Sequence, residues 1–282
     1  LLLGFGCSVP AILSTRRIET RSDRLVTIAV LPMMSCAGRL PIYMMFVSAL
    51  FPSRLQAPVL FGIYASGVLL ALCCARLLKN TLFKAPQRDS LHHMKRLRLP
   101  SLRKVGILMW SRAFMYVRKA GTFILGASII LWFLNTYPRP EENTAPTNAA
   151  AMEHSYAGQI GHWMEPVTQV AGFDWKINSA LVGAFAAKEI FVTQMGILYA
   201  VEDGNSGPAA QQTLNARLKA SYTPLQGISI MIFCLIALPC IGTVTVAKRE
   251  AGTWWFALAQ FGGLTLLGFA TATLIYQAGL LL

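Results

Sequence analysis

Apolar runs of membrane length, separated by short polar stretches, dominate this chain. A helix crossing the hydrocarbon core needs about 20 predominantly apolar residues. The runs 25–51, 57–78, 120–137, 175–201, 224–247 and 253–279 meet or approach that length. They predict an all-α, polytopic membrane protein with about six to seven spanning or re-entrant segments, and they leave no room for a large soluble domain. A seventh run, 1–14, would extend about 21 Å as a helix. It has neither the basic flank nor the small-residue cleavage site of a signal peptide. We read it as the tail of a spanning or re-entrant helix that begins upstream, so the chain is expected to be a fragment of a longer protein.

Composition supports this reading. The 282 residues are 55% hydrophobic and 13% charged, where a soluble domain carries about 25% charged residues. The net charge of +13 is concentrated rather than spread. Residues 79–119 hold eleven Lys or Arg against the single acid Asp89, which assigns that stretch to the cytoplasmic side and suits contact with anionic lipid headgroups. Nucleic-acid binding is excluded, because no aromatic interleaving or recognition motif accompanies the charge. Arg16, Arg17, Arg21 and Arg24 mark a second cytoplasmic loop. Residues 138–174 carry Glu141, Glu142, Glu153, Glu165 and Asp174 against Arg139 alone, so they are expected outside, with 138–150 as a turn-rich loop and 156–170 as an interfacial helix. Three regions follow: 1–24, 25–119 and 120–282. The run 175–201 either crosses, which places Lys248 and Arg249 outside, or breaks near Lys188 and re-enters, which places them inside.

Three of the six cysteines stand beside helix-disrupting residues within apolar runs. Cys7 lies in GFGCSVPAI with Gly6 and Pro10, Cys36 in PMMSCAGRLP with Ser35, Arg39 and Pro41, and Cys240 in LPCIGTVTV with Pro239, Gly242 and Thr243. Proline frees a carbonyl, and non-helical backbone at membrane depth survives only in protein or at a cavity. A thiol beside freed carbonyls suits a soft or borderline divalent ion. The alternative is that Gly and Pro permit close helix packing, with cysteine as a small hydrophobe. Arg39 is too deep for an ordinary helix end, so it faces a cavity or pairs with an acid. Lys188 and Glu189 sit mid-run in AFAAKEIFV, where Glu189 either neutralises Arg39 or approaches a passing cation, unless both simply reach water. Cys7 precedes Arg16, and Cys240 precedes Arg249, by nine residues each, an internal echo of the kind repeated transporter halves leave. Cys73 and Cys74 read as packing, and the cysteines imply no disulfide framework. His92, His93, His154 and His162 lack metal-site spacing. No GxxxxGK[ST], GxSxG or HExxH is present, which argues against nucleotide hydrolysis by this chain and against a hydrolase.

Four stretches, GFGCSVPAILSTR, RSDRLVTIAVLPMMSCAGRLPIY, AFAAKEIFV and YTPLQGISIMIFCLIALPCIGTVTVAKREAG, resemble the membrane region of the FeoB ferrous iron transporters in order and spacing. The resemblance implies two gate segments, around Cys7 and Cys240, flanking a middle region that carries Cys36. It also implies uptake of Fe²⁺ across the bacterial inner membrane by a multi-pass protein. Cys7, Cys36 and Cys240 would be its thiol ligands, Ser35 and Thr243 its oxygen ligands, and Glu189 a source of negative charge. Gly6, Pro10, Arg39, Pro41, Lys188, Pro239, Gly242, Arg249 and Glu250 are the expected gating or structural positions. GTP and Mg²⁺ would enter only through an N-terminal GTP-binding domain absent from this chain. Small FeoA- or FeoC-like proteins and a homo-oligomer are the expected partners. A transporter for another solute, such as a nucleoside, and a membrane scaffold for a GTPase remain as alternatives.

Overall fold

The computed structural model describes residues 2–81, 101–138, 152–199 and 208–281. Its helices are α1 (Ser8–Ser14), α2 (Arg21–Val30), α3 (Leu40–Leu50), α4 (Ser53–Thr81), α5 (Leu102–Thr136), α6 (Tyr156–Thr168), α7 (Trp175–Ala186), α8 (Lys188–Tyr199), α9 (Pro208–Ser221), α10 (Pro224–Ile236), α11 (Ile241–Ala251) and α12 (Trp254–Leu281). Among the described residues, four stretches are long and apolar enough to cross a membrane: Arg21–Leu50, Ser53–Thr81, Pro224–Ala251 and Trp254–Leu281. Two of these, α4 and α12, are unbroken. The other two are pairs of half-helices, α2 with α3 and α10 with α11, interrupted midway.

Charged groups gather at one pole. Glu250, whose side chain is 2% exposed, takes Arg16 at 2.5 Å and Arg24 at 2.6 Å, and Lys79 meets Asp23 at 2.9 Å. The opposite pole is fixed by hydroxyl groups. Tyr199 Oη donates to Tyr222 Oη at 3.0 Å, which donates to Asp174 Oδ2 at 2.9 Å. Asp174 caps the start of α7 and Tyr199 ends α8, so the two helices leave from and return to the same pole. Residues 175–199 therefore form a re-entrant hairpin. The chain next enters α10 through a capping box at Thr223 and Gln226, and α11 ends at the basic pole. Lys248 and Arg249 thus lie with Arg16 and Arg24, the arrangement that re-entry requires.

The basic stretch expected as a loop differs at its end. α5 begins at Leu102 and continues through Lys119, because 102–119 mixes strong helix formers with the apolar residues that extend the span; residues 82–100 lie outside the described residues. So do 139–151 and 200–207, which include the Pro-rich part of the acidic loop. A helix does form in the stretch 156–170, as α6, with Trp163 81% and Val167 65% exposed.

The core joins α3, α8 and α10 through Tyr43, Phe46, Phe191, Met195, Met231 and Leu235. A smaller cluster of Ala11, Ile12, Ile28, Leu31 and Ala247 packs α1, α2 and α11 together. Association in lipid depends on such close packing and on polar contacts, since lipid tails are as apolar as the side chains. α5 is fastened through Asn135, whose Oδ1 accepts from Gln194 Nε2 at 3.0 Å.

Candidate functional site

Four helix breaks meet in the middle of the molecule, and each has a local cause. In the first, Cys7 is extended (φ −155°, ψ 134°) ahead of α1. Pro10 has no N–H to give to the carbonyl of Gly6, four residues back, and Ala37 N–H takes that carbonyl instead at 3.2 Å. In the second, Pro32 deprives the carbonyl of Ile28. Gln260, inserted from α12, donates Nε2 to Ile28 O at 2.7 Å and to Ala29 O at 3.3 Å. Extended residues at Met34 and Cys36 follow, before Ala37–Arg39 restarts the helical course, and Pro41 occupies the first turn of α3, where no main-chain donor is needed.

The third break is at Ala187 (φ −150°, ψ 135°) between α7 and α8. The fourth runs through Ala237, Leu238, Pro239 and Cys240, with Leu238 at φ 52°. That conformation costs a non-glycine residue about 1–2 kcal/mol. The break is held from outside by α12: a Cβ on Gly268 would stand 2.7 Å from Ala237 Cβ and 3.0 Å from its nitrogen, so only glycine admits this approach.

The breaks enclose a cavity of about 40 Å³, and Cys7, Cys36 and Cys240 all line it together with Ser8 and Thr243. Cys240 Sγ lies 3.2 Å from Thr243 Oγ1. Arg39 and Lys188 complete the wall, and each terminates a half-helix: Arg39 Nη1 donates to Met34 O at 3.0 Å and Lys188 Nζ to Ala237 O at 3.4 Å. A cation suits those carbonyl ends, where the helix dipole is negative. Among the described residues, no three His, Cys, Asp or Glu side chains are gathered closely enough to hold an ion. The thiols share a chamber without forming a closed cage.

The remaining expected positions are placed as follows. Gly6, Pro10, Pro41, Pro239 and Gly242 all lie at the breaks, and Gly242 faces Val9 of α1. Ser35 is buried but turns away, its hydroxyl 3.5 Å from Tyr43 Oη. Glu189 is exposed, with its carboxylate over Gly38, and it neither lines the cavity nor pairs with Arg39. Arg249 is exposed at the basic pole, while Glu250 joins α11 to Arg16 and Arg24. The echoed segments α1 and α11 run side by side in one direction, from the cavity to that pole. Ser8 and Gln260 had not been expected. Their signals were a hydroxyl beside Cys7 and an isolated amide within the apolar run 253–279. His162 stands between Glu153 and Glu165 and stacks on Trp175.

Interrupted helices whose ends meet around a cavity, beside four stretches long and apolar enough to cross a membrane, define a polytopic membrane protein of the broken-helix class. Two family models match the chain: one described as "Gate: Nucleoside recognition" over residues 117–254, and one described as "Ferrous iron transport protein B C terminus" over 60–112. The chain is 36% identical to an Fe(2+) transport protein A/Fe(2+) transporter FeoB fusion protein of Porphyromonas gingivalis, aligned over 100% of this chain and 37% of the relative. It is 37% identical to the Fe(2+) transporter FeoB of Campylobacter jejuni, over 93% of this chain and 43% of that protein. Identity to the Fe(2+) transporter FeoB of Methanocaldococcus jannaschii is 35%, over 100% and 41%. The chain belongs to the FeoB family, and it spans about two fifths of the length of the curated relatives it matches. No solved structure matches it.

Proposed function

We propose that this chain forms the membrane pathway by which Fe²⁺ enters the bacterial cytoplasm. The observation that carries this reading is the convergence of three helix breaks, each bearing a cysteine, on one cavity. Thiols borrowed from separate helices, with the Thr243 hydroxyl beside one of them, replace part of an ion's hydration shell without enclosing it. Passage needs binding favourable enough for entry and weak enough for exit. A tight thiolate cage would retain Zn²⁺ or Cu⁺ instead. Ser35 and Glu189 would act only after a movement that turns them toward the path.

One family model carries the words nucleoside recognition. A cavity of about 40 Å³ argues for an ion, because sites for organic ligands occupy roughly 300–1,000 Å³. The relatives' greater length supports coupling to a GTP-binding domain with its Mg²⁺ outside this chain. The fusion in the Porphyromonas relative supports a small FeoA-like partner; an FeoC-like partner and a homo-oligomer belong to the same reading. Concentration of Lys and Arg at one pole orients that pole to the cytoplasm.

The test is ⁵⁵Fe²⁺ uptake by cells expressing the complete transporter with Cys7→Ser, Cys36→Ser and Cys240→Ser, singly and together. The triple variant should lose at least about tenfold, the scale on which even outer partners of metal ligands act. Undiminished uptake at normal expression would sink the thiol pathway.

A further inference from the structure

The cavity wall carries two positive charges and no negative one. Arg39 and Lys188 are 2% and 5% exposed, and among the described residues no carboxylate lies within ion-pair distance of either. Their hydrogen bonding is also incomplete. A guanidinium offers five N–H donors and an ammonium three, yet among the described residues each makes one bond, to Met34 O and Ala237 O, and the second is long at 3.4 Å. Arg39 Nε is fully buried without a partner. An unpaired charge is costly in a medium of low dielectric, and a second like charge on the same chamber adds to that cost.

What would relieve both cations is a small anion. The chamber has room for one: it offers about 40 Å³ where a single water-sized sphere needs roughly 10–15 Å³ on the same measure, so a small anion leaves space beside it. The hydroxyls of Ser8 and Thr243 supply further donors at the wall. α11 opens at Cys240 on the same chamber, so the partial positive charge of its first turn is directed there as well. We propose that this cavity binds a small monovalent anion of about the size of chloride, held between Arg39 and Lys188. Its consequence for iron rests on the pathway reading given above: an anion lodged between the cations offsets the charge that otherwise repels Fe²⁺ from the thiols. Iron and anion then share the chamber, with the anion on the Arg39 and Lys188 side and the metal on the cysteine side.

The experiment uses the purified protein in detergent with chloride as the probe. Excess ³⁵Cl⁻ line broadening should be displaced by bromide and unaffected by gluconate, which is too large for the chamber. Arg39→Gln and Lys188→Gln should each weaken chloride binding at least about tenfold, whereas Arg39→Lys should retain most of it. In the unsubstituted protein, chloride in place of gluconate should raise the melting temperature, as a ligand of the folded state does, a readout that does not depend on how the variants fold. Absence of both the broadening and the stabilisation overturns the proposal. So does undiminished broadening in a monodisperse Arg39→Gln/Lys188→Gln protein. Chloride binding alongside full iron uptake by the triple cysteine variant would keep the anion site and remove the pathway reading; cysteine-dependent uptake without chloride binding would do the reverse.

Discussion

Replacement of Gln260 by leucine tests how the helix break at Pro32 is tolerated within an apolar span. α2 keeps helical geometry up to Leu31, whose N–H still reaches Thr27 O. Pro32 then leaves Ile28 O without a main-chain donor, and the Gln260 amide supplies one at 2.7 Å from a residue 7% exposed. Orphaning a buried acceptor costs about 1–3 kcal/mol. Gln260 Oε1 is itself buried without a partner, and leucine removes that cost, so the net loss should fall near the lower end, about 1–2 kcal/mol. At roughly 2–4 °C per kcal/mol for a chain near this size, thermal unfolding of the detergent-purified protein should drop by about 2–8 °C. Pro32→Ala restores an N–H aimed at Ile28 O. In the double variant it should therefore recover most of the loss, and the cycle of four proteins isolates that coupling. Additive losses, with no recovery in the double variant, would refute the compensation.

Two further outcomes are expected. Gly268→Val drives a side chain into the backbone of Ala237 and should destabilise the protein by about 1–3 kcal/mol, as overpacking does; a wild-type melting temperature would show that the break yields freely. The Asp174 carboxyl lies outside the four spans, and burial pushes it above the ordinary carboxylate range, while the bonds from Ile177 and Tyr222 pull it down. A group raised on folding contributes stability present below its unfolded pKa and lost as pH rises through its folded pKa. Melting temperature should decline over that rise, and Tyr222→Phe should move the decline to higher pH; identical profiles for the two proteins count against the role of this carboxyl.

The cysteine breaks were legible because Gly and Pro stand beside each thiol, and all three thiols do reach one cavity. The break at Ala187 was not, since neither glycine nor proline marks it; it was inferred only from Lys188 and Glu189 in an apolar run. The path of 175–199 stayed open in the sequence because charge balance permitted two topologies, and the Tyr199–Tyr222–Asp174 chain decides between them. In the sequence Glu189 reads as neutralising Arg39, approaching a passing cation or reaching water, and charge in an apolar run does not choose among these. Hydropathy does not report that a residue opening a half-helix can sit over a glycine, as Glu189 does at Gly38. Gln260 escaped notice because its partner is a carbonyl, which leaves no trace in side-chain pattern.

The bond from Ala37 N–H to Gly6 O acts as a rivet. It ties the turn that presents Cys7 to the turn that presents Cys36 through main-chain atoms, so only a residue without an N–H at position 37 removes it. Cys240 comes to the same chamber from the turn pressed by Gly268 and reached by Lys188, and its helix α11 is packed in turn on α1 and α2. The three thiols are thus positioned by backbone and helix contacts, and the identity of each thiol's side-chain neighbours matters less than the glycine and proline positions that set the turns.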